Sequence, residues 1–127
     1  MTFARRVFTV AWIYGFVSLL PMYFMEARFM ERIPPALTHP EFYYGFVGVA
    51  LAWQVLFVLI AREPARLRPA MPPAVLEKLG WGIAVPVLVL QGRAPSFFVP
   101  AAVIDLVLAA LFVIAWRKTA SEPGAPR

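Results

Sequence analysis

The sequence predicts an all-α integral membrane protein, a four-helix bundle whose N- and C-termini both lie in the cytoplasm. Of its 127 residues, 61% are hydrophobic and 15% are charged, and the mean hydropathy is +0.73. A soluble domain contains roughly 45–50% apolar and about 25% charged residues. A chain this short cannot bury such an apolar excess, because small domains leave much of their surface in contact with solvent. We therefore expect lipid to surround most of the chain.

Four apolar segments each come close to the roughly 20 residues that a helix needs to cross about 30 Å of hydrocarbon. They occupy residues 7–25, 43–61, 73–90 and 97–116. No segment alternates between apolar and polar residues as the strands of a membrane barrel do. We predict one four-helix domain over residues 1–118, followed by a disordered cytoplasmic tail at 119–127.

The first two spans contain few polar residues. Arg5 and Arg6 precede the first span, as in a signal peptide, but the apolar run continues through Pro21 to Met25 and no small-residue cleavage site follows it. We expect this segment to be retained as a membrane helix. The second span carries one side-chain amide, that of Gln54.

The third and fourth spans contain charged residues. Glu77 and Lys78 lie about one turn inside the third span, and Pro86 interrupts it near its centre. The fourth span holds Asp105, about 16 Å from Trp116 at a rise of 1.5 Å per residue. A carboxylate that faces lipid at this depth is costly, so we expect Asp105 to face the other helices.

The distribution of basic residues predicts the orientation, because cytoplasmic loops carry an excess of Lys and Arg. Nine basic residues fall in the two termini, the second loop and the start of the third helix, against three in the other loops (Arg28, Arg32 and Arg93). This bias predicts a multi-pass protein of the bacterial-type cytoplasmic (inner) membrane. Attraction to anionic lipid headgroups accounts for the pI of about 10.2, so no nucleic-acid partner is expected.

Residue usage limits the chemistry that the chain can perform. The absence of cysteine and the single histidine exclude disulfides, thiolate catalysis and cysteine- or histidine-rich metal sites. We expect no metal and no cofactor, and we assign no catalytic residue. Nucleophiles and bases are too few at membrane depth to favour an enzyme, although an isomerase-like or quinone-linked activity stays open as an alternative.

Five polar residues are the candidate ligand-binding residues: Asp105, Gln54, Glu26, Glu77 and Lys78. Small residues should let the helices approach closely around them; these are Ala101, Ala102 and Ala109, the pair Ala11 and Gly15, and the pair Gly48 and Ala52. We expect Asp105 to be mostly protonated beside Gln54, because Lys78 lies nearer the cytoplasmic surface and can extend outward to it.

A structural interpretation of the same residues stays open. Gln54 and Asp105 can join helices through hydrogen bonds worth about 0.6–2 kcal/mol each. Glu77 and Lys78 can be a helix-start carboxylate and a neighbour that extends to the membrane surface. Glu26 can be a solvated charge at the rim of the first helix.

Three segments resemble the EXPERA group, which includes sterol isomerases and the sigma-2 receptor. They are LPMYFME at residues 20–26, LAWQVLFVLIA at 51–61 and PPAVLEKLGWGIAVPVL at 72–88. The resemblance implies a cavity for a sterol-like or amine ligand, with Glu26 and Gln54 in its lining. Ala50 stands where the second acid of that group is expected, so Asp105 would have to supply it from another helix. The size and topology also resemble the DoxX-like bacterial membrane proteins, some of which serve redox complexes.

These observations favour ligand binding as the function. We expect a non-enzymatic protein that holds a small apolar ligand or lipid in an intramembrane cavity near Asp105 and Gln54. The alternative is an accessory subunit of a membrane complex, including a quinone-linked one. In that case a partner helix, or a second copy of the chain, would pack on the small-residue faces.

Reporter fusions test the predicted orientation. Fusions after Arg68 and after Arg117 should both report a cytoplasmic location, and a fusion after Pro35 should report a periplasmic one, because the basic residues concentrate on the side of the first two sites. A periplasmic signal from the fusion after Arg68 would contradict the four-span topology.

Overall fold

The computed structural model describes residues 2–28 and 39–126, which are mostly helical. The four long helices are α1 (Phe3–Tyr23), α2 (Pro40–Arg62), α3 (Met71–Leu90) and α4 (Val99–Thr119), with short 3₁₀ turns at Arg68–Ala70 and Ser96–Phe98. Within the described residues all four helices are long and apolar enough to cross a membrane, and no β-strand is present. The prediction of an all-α fold with four helices long and apolar enough to cross a membrane is confirmed.

The helix boundaries differ from the predicted spans by a few residues, for local reasons. Helix α1 begins four residues early, at Phe3, because the Thr2 side chain accepts a hydrogen bond from the Arg5 backbone N–H at 3.3 Å. Helix α3 runs through Pro86 to Leu90 and ends before Gly92, whose φ of 70° suits a glycine at a helix terminus.

Two helix pairs form the bundle. Helix α1 packs along α2, α3 packs along α4, and α1 also contacts α4, which joins the pairs. The contact between α3 and α4 is close at Gly82, where an added Cβ would lie 3.1 Å from Leu106 Cγ and 3.3 Å from the Ala102 carbonyl oxygen. Helices α2 and α3 meet through side chains, with the ring centroids of Phe46 and Trp81 6.5 Å apart.

Three buried phenylalanines join α1, α2 and α4 at the centre of the core. The rings of Phe8 and Phe112 stack with their centroids 4.2 Å apart, and Phe57 packs against Phe112 at 5.2 Å and against Phe8 at 5.7 Å. All three side chains are fully buried. Such aromatic pairs contribute about 0.5–1.5 kcal/mol each beyond the area that they bury.

One end of the bundle, where α1 and α3 begin and α2 and α4 end, is called the terminal end below. Polar and cationic contacts join the helices there. Arg5 Nη2 donates to the Arg62 carbonyl oxygen at 3.0 Å, and Arg68 Nε donates to the Trp116 carbonyl oxygen at 2.9 Å. The Arg68 guanidinium also lies over the Trp116 ring. These contacts bring Arg5 of α1 and Arg68 of the connection between α2 and α3 to the same end of the bundle.

The structure bears out one of the predicted small-residue contact faces of α1 and α2 and not the other. Ala11 and Gly15 are buried on α1, as expected, and the Gln54 side chain lies against Gly15. The expectation that Gly48 and Ala52 face the bundle is wrong: a Cβ on Gly48 would meet nothing within 4 Å, and Ala52 is exposed. The reason is geometric. At about 100° per residue, turning Gln54 inward directs Ala52 outward.

Gly15→Ala tests the close contact between α1 and α2. Its new Cβ would lie 1.9 Å from Gln54 Oε1, so the fully buried Gln54 side chain must move. We expect the free energy of unfolding in mixed micelles to fall by about 1–3 kcal/mol, the range for overpacked sites.

Gly48→Ala is the matched control, because it adds the same methyl group where nothing lies within 4 Å. It should be neutral, or stabilising by up to about 1 kcal/mol through higher helix propensity. In a Gln54→Ala background the cost of Gly15→Ala should shrink. Equal effects of the two glycine substitutions would contradict this packing.

Candidate intramembrane charged site

Three charged side chains meet between α3 and α4. Lys78 Nζ lies 3.4 Å from Asp105 Oδ1 and 3.6 Å from Glu77 Oε2. The side chains of Lys78, Asp105 and Glu77 are 5%, 13% and 18% exposed, so all three are largely buried within the protein. We call these three residues the charged cluster. The structure thus brings together three of the five predicted site residues.

The helix faces explain how the charged cluster forms. Lys78 belongs to a buried stripe of α3 whose members recur every three or four residues: Met71, Ala74, Lys78, Gly82 and Val85. Asp105 lies on the buried face of α4, with Ala102 and Ala109 on either side of it. Because Gly82 and Ala102 have little or no side chain, the two backbones approach closely near these charges.

The expectation that Lys78 extends to the membrane surface is wrong. Its side chain is buried and donates a hydrogen bond to Asp105. Its ammonium also lies 5.4 Å from the centroid of the Phe57 ring on α2, within the range of a cation–π interaction. Attraction to a carboxylate outweighs extension to water here, because charges interact strongly where the dielectric constant is low. Asp105 therefore has a cation beside it, whereas a mostly protonated Asp105 was expected on the condition that no cation lies near.

The charged cluster contains one more acidic group than basic groups. Glu77 Oε2 is buried and makes no hydrogen bond with any described residue, although it lies within ion-pair distance of Lys78. Tyr14 of α1 lies within electrostatic range of Asp105. The site therefore has a carboxylate oxygen on Glu77 that makes no hydrogen bond with a described residue, and a phenol from a third helix in its surroundings.

Gln54 and Glu26, the other two predicted site residues, have partners elsewhere. Gln54 Nε2 donates to the Ala50 carbonyl oxygen at 3.0 Å. Its Oε1 makes no conventional hydrogen bond with a described residue and projects to where a Cβ of Gly15 would lie, the geometry of a weak Cα–H···O contact. Glu26, at the far end of the bundle, accepts a hydrogen bond from the Tyr44 hydroxyl at 2.8 Å.

Sequence reasoning missed Tyr14 and Phe57, which contribute to the surroundings of the charged cluster. The spacing of residues along the helices could have predicted that both side chains face inward. Tyr14 lies three residues after Ala11, and Phe57 lies three residues after Gln54, so each shares a face with a residue that was expected to point inward.

Two shallow grooves lie at the terminal end of the bundle. One, of about 380 Å³, runs between α1 and α2, and the other, of about 400 Å³, adjoins it; both include Arg5 and Arg62. Neither is lined by a residue of the charged cluster. Within the described part of the chain, no three His, Cys, Asp or Glu side chains are grouped so as to hold a metal ion.

The fold and site define an all-helical protein with four helices that can cross a membrane and a charged cluster between two of them. Comparison with known proteins finds no matching family model, no matching curated protein and no matching solved structure. The resemblances to the EXPERA and DoxX-like groups therefore stay predictions.

Lys78→Met tests whether the ammonium holds the charged cluster together. The substitution keeps an unbranched side chain but leaves two carboxylates without their cation. We expect the free energy of unfolding to fall by about 3–5 kcal/mol, as when one partner of a buried ion pair is removed.

Arg66→Met is the matched control, because it removes a cation from the exposed pair between Glu63 and Arg66, whose atoms are 3.0 Å apart. Exposed pairs contribute about 0–1 kcal/mol. If Lys78→Met cost no more than Arg66→Met, the charged cluster would not stabilise the bundle.

Proposed function

We propose that this is a non-catalytic membrane protein that binds a small apolar ligand or lipid through one polar group at the charged cluster. The observation that carries the proposal is that two carboxylates share one ammonium: Glu77 Oε2 lies 3.6 Å from Lys78 Nζ and makes no hydrogen bond with a described residue. Ionisable groups at membrane depth are costly, and proteins that keep them commonly use them to bind or to transport.

The charge of the cluster indicates the chemistry of its ligand. With Asp105, Glu77 and Lys78 all ionised, the cluster carries one net negative charge. An uncompensated buried charge is unfavourable, so a ligand that brings a hydrogen-bond donor or a positive charge to Glu77 would be favoured over an anion. The rest of the ligand must be apolar, because the ligand must reach the site through lipid or between apolar helices.

The side between α2 and α3 is the proposed route of access. These helices meet through side chains, and Phe46, Trp81 and Phe57 are among the aromatic residues there. Because neither groove at the terminal end is lined by the charged cluster, ligand entry would require these aromatic side chains to turn aside. The Gln54 amide N–H and Glu26 have partners outside the charged cluster, so the proposal rests on the charged cluster.

An accessory subunit is the second candidate, and a different observation favours it. The closed ion pairing of Lys78 is compatible with a purely structural charged cluster. In addition, Gly48 on α2 and Gly80 on α3 both have open space where a Cβ would project. Glycines that face outward on two membrane-spanning helices would let a partner helix approach closely.

The orientation and location belong to the same proposal. Arg5, Arg62 and Arg68 lie together at the terminal end, near Arg117 and Lys118 at the end of α4. This grouping supports an orientation with the terminal end in the cytoplasm. A bacterial-type inner membrane is the proposed location.

Native mass spectrometry of the protein extracted with its lipids tests ligand binding. We expect a defined added mass on the original chain. In Glu77→Gln the fraction of chains that carry this mass should fall by at least about tenfold. This variant keeps the shape of the side chain but presents an amide, which pairs less strongly with a ligand donor than a carboxylate does. Asp105→Asn should weaken retention too.

Glu41→Gln is the control, because it removes an exposed carboxylate that belongs neither to the charged cluster nor to either groove, and it should leave the added mass unchanged. Retention of the same mass by all variants would place the ligand elsewhere. If the chain carries no added mass but co-purifies with one defined partner protein, the accessory-subunit function would be favoured over ligand binding.

A further inference from the structure

The groove between α1 and α2 combines cationic and apolar residues at the terminal end. Its lining residues are Arg5, Thr9, Trp12, Val58, Ala61 and Arg62. We propose that this groove binds one anionic phospholipid, with the phosphate held by the two arginines and an acyl chain lying along the apolar residues. The site is separate from the charged cluster and does not depend on the function proposed above.

The two arginines supply hydrogen-bond donors to this groove, and the nearest acids, Glu63 and Glu122, line the adjoining groove instead. Arg5 Nη2 donates to the Arg62 carbonyl oxygen at 3.0 Å, which ties Arg5 to the last turn of α2 and leaves other N–H groups of the guanidinium available. The Arg62 guanidinium forms no ion pair with a described residue, and no acidic residue lines the groove. Guanidinium groups match phosphate oxygens in charge and in geometry.

The remaining lining residues suit a hydrocarbon chain. Trp12, Val58 and Ala61 lie on helices that can span the membrane, so this part of the groove faces the hydrocarbon or its boundary. Trp12 is partly buried and packs against the core, which gives the groove a firm apolar wall. Tryptophan is enriched where hydrocarbon meets headgroups.

The adjoining groove has room for the rest of a lipid headgroup. It shares Arg5 and Arg62 and adds Glu63, Arg66 and Glu122, at a volume of about 400 Å³. Acidic oxygens beyond the phosphate position can accept hydrogen bonds from headgroup hydroxyls. This arrangement favours a lipid that carries a phosphate and hydroxyl groups, such as phosphatidylglycerol.

A phospholipid explains the two parts of the groove better than a free anion does. Inorganic phosphate would use the arginines alone and leave the apolar wall without an occupant. A lipid places its charge and its chain where the groove changes from cationic to apolar, and it is already the solvent of this surface.

Lipid titration followed by native mass spectrometry tests the proposal on the full chain in detergent. Phosphatidylglycerol should bind the original chain more tightly than phosphatidylcholine. Arg5→Gln/Arg62→Gln should weaken phosphatidylglycerol binding by about tenfold or more, since each basic residue near a membrane contributes about 1 kcal/mol of attraction to anionic lipid. Val58→Trp, which fills the apolar part, should weaken binding of both lipids.

Arg6→Gln/Arg117→Gln is the matched control. It removes the same charge from exposed positions near the same end that do not line either groove, and it should change the affinity by less than about twofold. Arg62→Gln alone keeps the hydrogen bond from Arg5, because that bond uses a backbone carbonyl. It should therefore melt like the original chain and still bind phosphatidylglycerol several-fold more weakly.

Three results would overturn the proposal. Equal loss of affinity in both double variants would show diffuse attraction to the whole end of the bundle. Unchanged affinity in Arg5→Gln/Arg62→Gln would show that the groove is not the site. Displacement of the lipid by inorganic phosphate at comparable concentration would show a simple anion site.

Discussion

The ion pair between Lys78 and Asp105 is the contact on which the arrangement of α3 and α4 depends. Neither residue is tolerated against lipid alone, and each removes the main cost of burying the other. Their 3.4 Å contact fixes the rotation of both helices about their axes. Gly82 and Ala102 then allow the backbones to approach closely, while Val103 and Val107 of α4 face outward. An electrostatic constraint at one level of the membrane thereby determines which apolar residues meet lipid and which form the core.

A similar constraint acts between α1 and α2, with an amide in place of charges. Gln54 is fully buried and satisfies its N–H with the Ala50 carbonyl, while its oxygen lies against Gly15. Only a residue without a side chain leaves that space. The aromatic contacts of Phe8, Phe57 and Phe112 then join this pair to α4. Two polar contacts therefore orient the helix pairs, and apolar packing holds them together.

Composition and pattern were sufficient to predict the class of fold, because a chain this apolar needs lipid around it, where only helices or closed barrels satisfy the backbone, and no segment alternates as barrel strands do. The inward direction of Asp105 could also be predicted, because a carboxylate that faces lipid is energetically costly. The direction of Lys78 did not, since extension to the surface and pairing with an acid are both reasonable for an isolated helix. The choice depends on whether an acid faces Lys78 from the neighbouring helix, and the sequence of α3 alone does not reveal that Asp105 of α4 does so. The outward direction of Gly48 and Ala52 could not be predicted from α2 alone either. It depends on the contact between Gln54 and Gly15 of α1, which turns Gln54 inward and Ala52 outward.

The most direct test of this account is a distance measurement between Lys78 and Asp105 in lipid bilayers. Asp105 is the one aspartate in the sequence, and Lys118 is the one other lysine, so isotope-labelled aspartate and lysine give an almost unambiguous pair for solid-state NMR. The account predicts strong dipolar coupling between the side-chain carboxyl carbon of aspartate and a lysine Nζ, and loss of that coupling in Lys78→Met, which retains Lys118. Absence of coupling in the original chain, with Lys78 Nζ instead in contact with water or headgroups, would contradict it.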